Sequence, residues 1–211
     1  MKKSLYSRLF LLLSIGLAGS GCATLDKDEC VTAEWETIGY EDGNRGYPAS
    51  RIGKHRSACA KHGVTPDLAL YTKGRERGLI QYCRASVGYH AGVRGKSYKN
   101  VCPAASEADF LKGYRYGRRI YEVNTQVRSL QSQIRSEENY LEELQATIDE
   151  TESELIRSGI TPRRRAALLV ELKGLAEKKR DSEAAIAELY SRTDEANFEL
   201  GRLQERNPYR N

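Results

Sequence analysis

The sequence predicts an all-α protein: a small disulfide-stapled domain of glycine-zipper helices, followed by a long antiparallel helical hairpin of coiled-coil type. Three observations predict it. Glycines and aromatic residues recur at helical spacing in three separate stretches. A seven-residue apolar repeat runs from Ile120 to Leu155 without a proline or glycine. Four cysteines follow a leader-like N-terminus, an even number suited to stapling a small core.

The first 21 residues are expected to be a lipoprotein signal peptide and to play no part in the fold. Lys2, Lys3 and Arg8 form a basic start, and Leu9 to Ala18 form an apolar run of ten residues. A membrane-spanning helix needs about 20. The run ends in "LAGSGC", small residues before Cys22 that resemble a bacterial lipobox, although Gly19 stands where leucine is usual. Cys22 is thus the expected lipid attachment site, with ordinary signal cleavage as the alternative. Ala23 resembles the sorting pattern for the outer membrane, so the expected location is its periplasmic face. Residues 22–29 read as a tether.

Residues 30–105 read as the small domain. Three phenylalanines, one tryptophan, one methionine and thirteen tyrosines, with 30% charged residues overall, imply a small and polar core. Cys30, Cys59, Cys83 and Cys102 allow three pairings. Local closure favours Cys30–Cys59 with Cys83–Cys102. A zinc site from His55, Cys59 and His62, spaced i, i+4 and i+7, is the competing reading, and no metal or other cofactor is expected.

Gly74, Gly78 and Tyr82 recur as Gly113, Gly117 and Tyr121, and as Gly39, Gly43 and Tyr47. Each set follows an aromatic residue by three or four positions: Tyr71, Phe110 and Trp35. These offsets fall on one helix face. A helical glycine costs about 1 kcal/mol against alanine, so paired glycines imply close backbone approach by a neighbouring helix, with the rings closing the ends. The stretches "KGRERG" and "GYRYGRR" are too charged for the membrane form of this motif. Gly88 and Gly92 repeat the spacing in what reads as a turn-rich segment.

"WETIGYEDGNRG", "HRSACAKHG", "YTKGRERGLIQYC", "GYHAGVRGKSYKNVC" and "FLKGYRYGRRIYEV" together resemble an uncharacterised proteobacterial lipoprotein family, known only as a domain of unknown function. The resemblance covers roughly residues 30 to 123. It implies a small exported, cysteine-bearing domain and supplies no catalytic residues.

Residues 106–157 read as one long helix, opened by a capping-box-like "SEAD" at Ser106. Ile120, Val127, Ile134, Leu141, Ile148 and Leu155 are seven apart, with Val123, Leu130 and Leu144 between them. Such a heptad predicts a coiled coil. Residues 158–161 form the turn, with Gly159 as stop, Thr161 as N-cap and Pro162 opening a second helix over 162–206; residues 207–211 are a tail. Folding back about Gly159 places Leu130 against Leu189 and Ile120 against Leu200, with a polar layer where Glu137 meets Ser182. An intermolecular seam is the alternative.

Charge is uneven. Residues 44–119 hold 16 Lys and Arg against 4 Asp and Glu, whereas residues 120–211 hold 14 against 18. A basic, tyrosine-rich domain beside a membrane suits an anionic glycan or lipid, and an exported location argues against nucleic acid. The sequence contains no nucleophile elbow, zinc-protease helix, phosphate loop or haem-attachment motif, so no catalytic residues are assigned. The expected role is a lipid-anchored, non-enzymatic binding or scaffolding protein of the outer membrane, with an envelope protein or peptidoglycan as partner. The ending "NPYRN" lacks the terminal lysine used for covalent attachment to the cell wall.

Overall fold

A computed structural model describes residues 25–209. Among these residues the elements are α1 (Lys27–Val31), α2 (Trp35–Asn44), α3 (Ile52–Cys59), α4 (Leu68–Tyr82), α5 (Ala85–Val93), α6 (Ala104–Leu155) and α7 (Pro162–Glu205), with 3₁₀ turns flanking α3 and no strand. The chain forms two compact units, one ending at Gly78 and the next beginning at Leu79, so the division falls inside α4.

Each unit is built on one helix pair crossing at glycines, and the two pairs are copies of each other. "TIGYEDGNRG" (37–46) aligns with "SVGYHAGVRG" (86–95), and "YTKGRERGLIQY" (71–82) aligns with "FLKGYRYGRRIY" (110–121). In the first unit, a Cβ on Gly39 would strike the Tyr71 carbonyl, and one on Gly74 the Glu36 carbonyl. In the second, Gly88 lies against the Phe110 carbonyl, and Gly113 against that of Ala85. Gly78 against Tyr40 and Gly117 against Tyr89 complete the correspondence. The obstacles are backbone atoms, which cannot rotate aside as a side chain would. Cα–H groups therefore lie on facing carbonyls, a weak but recurrent stabilising contact between close helices.

Both first helices also end alike. Tyr47 N donates to Asp42 O at 2.9 Å and Lys96 N to Ala91 O at 3.0 Å, each beyond a glycine, Gly46 or Gly95, at φ 68°. This is the Schellman arrangement, in which a left-handed glycine lets the chain return to the last carbonyls. The carbonyl that follows the glycine is capped in both units by the side chain at one equivalent position. Arg75 Nη2 donates to Tyr47 O at 3.0 Å, and Tyr114 Oη to Lys96 O at 2.9 Å.

Two sequence-based expectations change here. Gly88 and Gly92 lie in a helix, α5, and not in turns. Tyr47 lies beyond the end of α2, and Trp35, which opens α2, corresponds to Arg84 instead of to Tyr71 and Phe110. The three recognised stretches are therefore one first helix and two second helices of a duplicated pair.

The copies differ in what joins their helices. Residues 45–67 contain α3, whereas residues 94–103 contain no helix. Disulfides Cys30–Cys59 and Cys83–Cys102 each tie the chain just before the first helix to the chain before the second. In the first unit, Cys30, Trp35, Ile52, Cys59 and Tyr71 form the core. The second unit stacks rings instead: Phe110 lies 5.2 Å from Tyr82 and 4.8 Å from Tyr98.

The second unit continues as the expected antiparallel hairpin. Arg119 pairs with Glu199 at 2.6 Å, Tyr116 Oη donates to Leu203 O at 2.6 Å, and Arg164 pairs with Glu154 at 2.7 Å. Val123, Val127, Leu130 and Ile134 pack with Leu189 and Ala196. Thr151 and Thr193, polar at buried positions, each donate to the carbonyl four residues earlier, so neither hydroxyl is left unsatisfied. Ser182 is buried as well, but its hydroxyl has no hydrogen-bond partner, so the expected polar layer with Glu137 is not a hydrogen-bonded one. The turn is capped by Thr161, whose Oγ1 accepts from Arg164 N at 3.2 Å, with Pro162 opening α7. At the other end α6 starts at Ala104, directly after Pro103, so Ser106 lies inside the helix and donates to the Pro103 carbonyl instead of capping.

Candidate functional site

The residues singled out in the sequence are mostly structural in their placement. Gly39, Gly43, Gly74, Gly78, Gly113 and Gly117 are buried, as are Tyr71 and Phe110. Tyr82 stacks on Phe110, and the Arg118 guanidinium lies 5.0 Å from the centre of the Tyr121 ring. Trp35 is buried at the start of α2. Cys22 lies outside the described residues. Cys59 is held in a disulfide and is unavailable as a thiolate for the zinc alternative; His62 is exposed.

Sequence reading missed the node that His55 actually joins. Asp42, on the inward face of α2, accepts at Oδ2 from His55 Nε2 at 2.8 Å and from Tyr71 Oη at 2.8 Å. Arg51 Nε stands 3.9 Å from Oδ1, and its guanidinium lies 4.5 Å from the Tyr47 ring centre. A carboxylate only accepts, so Nε2 of His55 carries a proton. Asp42, His55 and Tyr71 are 5%, 3% and 1% exposed. The node is a buried strut, closed to a substrate.

Burial alone would raise the carboxyl of Asp42, but the hydrogen bonds from His55 and Tyr71 outweigh it and hold the group below the usual range. Burial, with the hydrogen bond to Asp42, pushes the Tyr71 phenol well above its ordinary value. A depressed acid contributes stability that is present above its unfolded value and lost as pH falls through its folded one. A raised phenol contributes stability that is present below its unfolded value and lost as pH rises through its folded one. The first unit should therefore be most stable on a plateau from about pH 5 to about pH 9, falling on both sides. Asp42→Ala should cost about 3 kcal/mol at neutral pH, because two buried donors, His55 Nε2 and Tyr71 Oη, lose their acceptor. Tyr71→Phe should remove the alkaline limb and, by taking one donor from Asp42, shrink the acid limb as well. Urea titrations across pH, followed by Trp35 fluorescence, check both.

The second copy shows that the node is optional to the repeat. Asp42 corresponds to Ala91 and Tyr71 to Phe110, so both partners are apolar there. Replacing both sides of a buried hydrogen bond costs far less than replacing one. The signal available in the sequence was a charged residue between Gly39 and Gly43, on the face expected to meet another helix.

The surface of the first unit carries a groove of about 490 Å³ lined by Trp35, Glu36, Tyr40, Leu70 and Arg77, among others. Glu36 is held by Lys73 at 3.0 Å and by Arg77, and the Lys73 hydrogen bond is the main reason its carboxyl lies below the usual range. The basic residues here are thus partly neutralised within the unit. Among the described residues no His/Cys/Asp/Glu cluster could hold a metal, and no helix is long and apolar enough to cross a membrane.

No curated protein and no solved structure matches the chain. Residues 34–119 match the family described as "Protein of unknown function (DUF2799)". The match begins just before α2 and ends in α6 two residues beyond Gly117. The matched stretch therefore includes the glycine crossings of both helix pairs.

Proposed function

We propose that the protein is a non-enzymatic binding or scaffolding protein, held by a lipid at Cys22 on the periplasmic face of the outer membrane. One observation carries the reading: the hairpin continues far past what the second helix pair uses. α6 runs 52 residues, and from Glu122 onward it packs on α7 for about 50 Å. Large apolar side chains lie exposed along α7, with Val170 73%, Phe198 71% and Tyr190 49% accessible. They would supply apolar anchors to a partner laid along the rod.

A photo-crosslinking residue at Phe198 should yield a discrete envelope-protein adduct in cells, and one at Lys73 should not. Adducts to glycan or lipid from Lys73 alone would favour the second reading, in which the basic domain, with its half-buried Tyr40 and Tyr47 beside Arg77 and Arg51, takes an anionic glycan or lipid. Alkyne-palmitate labelling should tag the wild-type protein, and Cys22→Ala should lose the tag. Equal labelling of the two would end the lipid-anchor proposal.

A further inference from the structure

The turn of the hairpin differs in chemistry from the helices that lead to it. Residues 137–154 of α6 hold eight acidic residues and no basic one, whereas residues 155–165 hold Arg157, Arg163, Arg164 and Arg165 and no acid. Arg164 is engaged by Glu154, and Arg165 donates to the Leu155 carbonyl at 2.8 Å. Arg157 and Arg163 are exposed.

The same tip is apolar beyond what its packing uses. Ile156 is 82% exposed at the end of α6. "AALLV", 166–170, is five consecutive apolar residues of which only Leu168 is buried; Leu169 and Val170 are 55% and 73% exposed. Leu155, Ile156 and Leu172, together with Asp149, Glu152 and Ser153, line an open groove of about 520 Å³ beside them. An exposed apolar run of this length on a helix is unfavourable unless something covers it.

We infer that the hairpin tip is a docking site for an anionic lipid surface, inserting Ile156, Leu169 and Val170 at the headgroup boundary while Arg157 and Arg163 pair with lipid phosphates. Three features select this occupant. Arg157 and Arg163 lie close in sequence to the exposed aliphatic side chains, and basic residues beside aliphatic ones are the pattern that binds anionic bilayers. Arginine stems reach along apolar surface while their heads stay at the phosphates. Residues 155–173 contain no aromatic ring for a sugar to stack on. Glu137, Glu138, Glu142 and Glu143, farther along α6, are repelled by the same surface, which limits contact to the end of the hairpin, where Glu154 is neutralised by Arg164. The inference does not depend on the N-terminal lipid or on a protein partner.

The test places a reporter at the tip of the full chain, as Ile156→Trp, with Tyr190→Trp as a control away from it. With vesicles of phosphatidylcholine containing phosphatidylglycerol, the Ile156→Trp emission should shift to the blue and be quenched by brominated lipid. Vesicles of phosphatidylcholine alone should leave it unchanged, and Tyr190→Trp should respond to neither, even if the N-terminus tethers the chain. Adding Arg157→Glu and Arg163→Glu should weaken the response more than about tenfold. Four outcomes overturn the proposal: no shift on anionic vesicles, an equal shift on neutral ones, an equal response at position 190, or a concentration-dependent shift without vesicles. The last would mean that a second copy covers the tip.

Discussion

Gly113→Ala should destabilise the second unit by about 3 kcal/mol, although alanine is the better helix former. The added methyl would strike the Ala85 carbonyl and lie 3.0 Å from Tyr89 N, and both are backbone atoms of a regular helix. Relief requires α5 and α6 to separate, which loosens the neighbouring contacts of Gly88, Gly92 and Gly117 as well. Gly74→Ala should do the same to the first unit, meeting Glu36 and Tyr40 across α2. The control lies in the same chain. Gly174 and Gly201, in α7, have nothing within 4 Å of an added Cβ, so alanine there should stabilise by about 0.5–1 kcal/mol. Urea denaturation followed by circular dichroism, and by Trp35 fluorescence for the first unit, reads all four. A Gly113→Ala protein as stable as the wild type would remove the close approach from the account.

Removing the Cys30–Cys59 disulfide should be comparably costly. Its cysteines are 29 residues apart, and closing a loop of that size restricts the unfolded chain by about 3–4 kcal/mol. Both sulfurs are also in the core, at 1% and 0% exposure, against Trp35 and Tyr71. The double variant Cys30→Ser, Cys59→Ser adds buried hydroxyls to the lost staple. It should therefore shift the Trp35 transition to much lower denaturant while leaving the hairpin helical. Thiol titration of the unreduced, denatured wild-type protein should find almost no free thiol at residues 30, 59, 83 and 102. Two reactive thiols there would refute the pairing.

The parts of the fold that were legible in the sequence share one cause: they follow from a period. The heptad from Ile120 to Leu155 and the capped turn at Thr161–Pro162 set the hairpin and its register, because seams and caps are local in sequence. Glycine spacing revealed the contact faces for the same reason. What the glycines met was not legible, since the partner of a helix face is a tertiary fact. Gly88 and Gly92 read as turns because Gly95 and "GKSYKN" follow closely, and a short helix between breakers has little periodicity to show. The duplication was hidden by its unequal connections, 45–67 against 94–103, which carry the second helices out of constant offset from the first. The Asp42 node was hidden because its partners lie 13 and 29 residues away, and His55 had a more familiar spacing with Cys59 and His62 to suggest a metal. The stretch "RRRAALLV" did not stand out in the sequence, because which of its residues stay exposed is decided by the fold.

One glycine-crossed helix pair occurs twice at the same register. Backbone NMR on the full chain tests it directly, through nuclear Overhauser effects from glycine α protons to amides of the facing helix. Strong cross-peaks are expected from Gly74 to Tyr40 and from Gly113 to Tyr89, equivalent positions in the two copies. Cross-peaks in only one copy, or at positions displaced by a helical turn between them, would contradict the duplication.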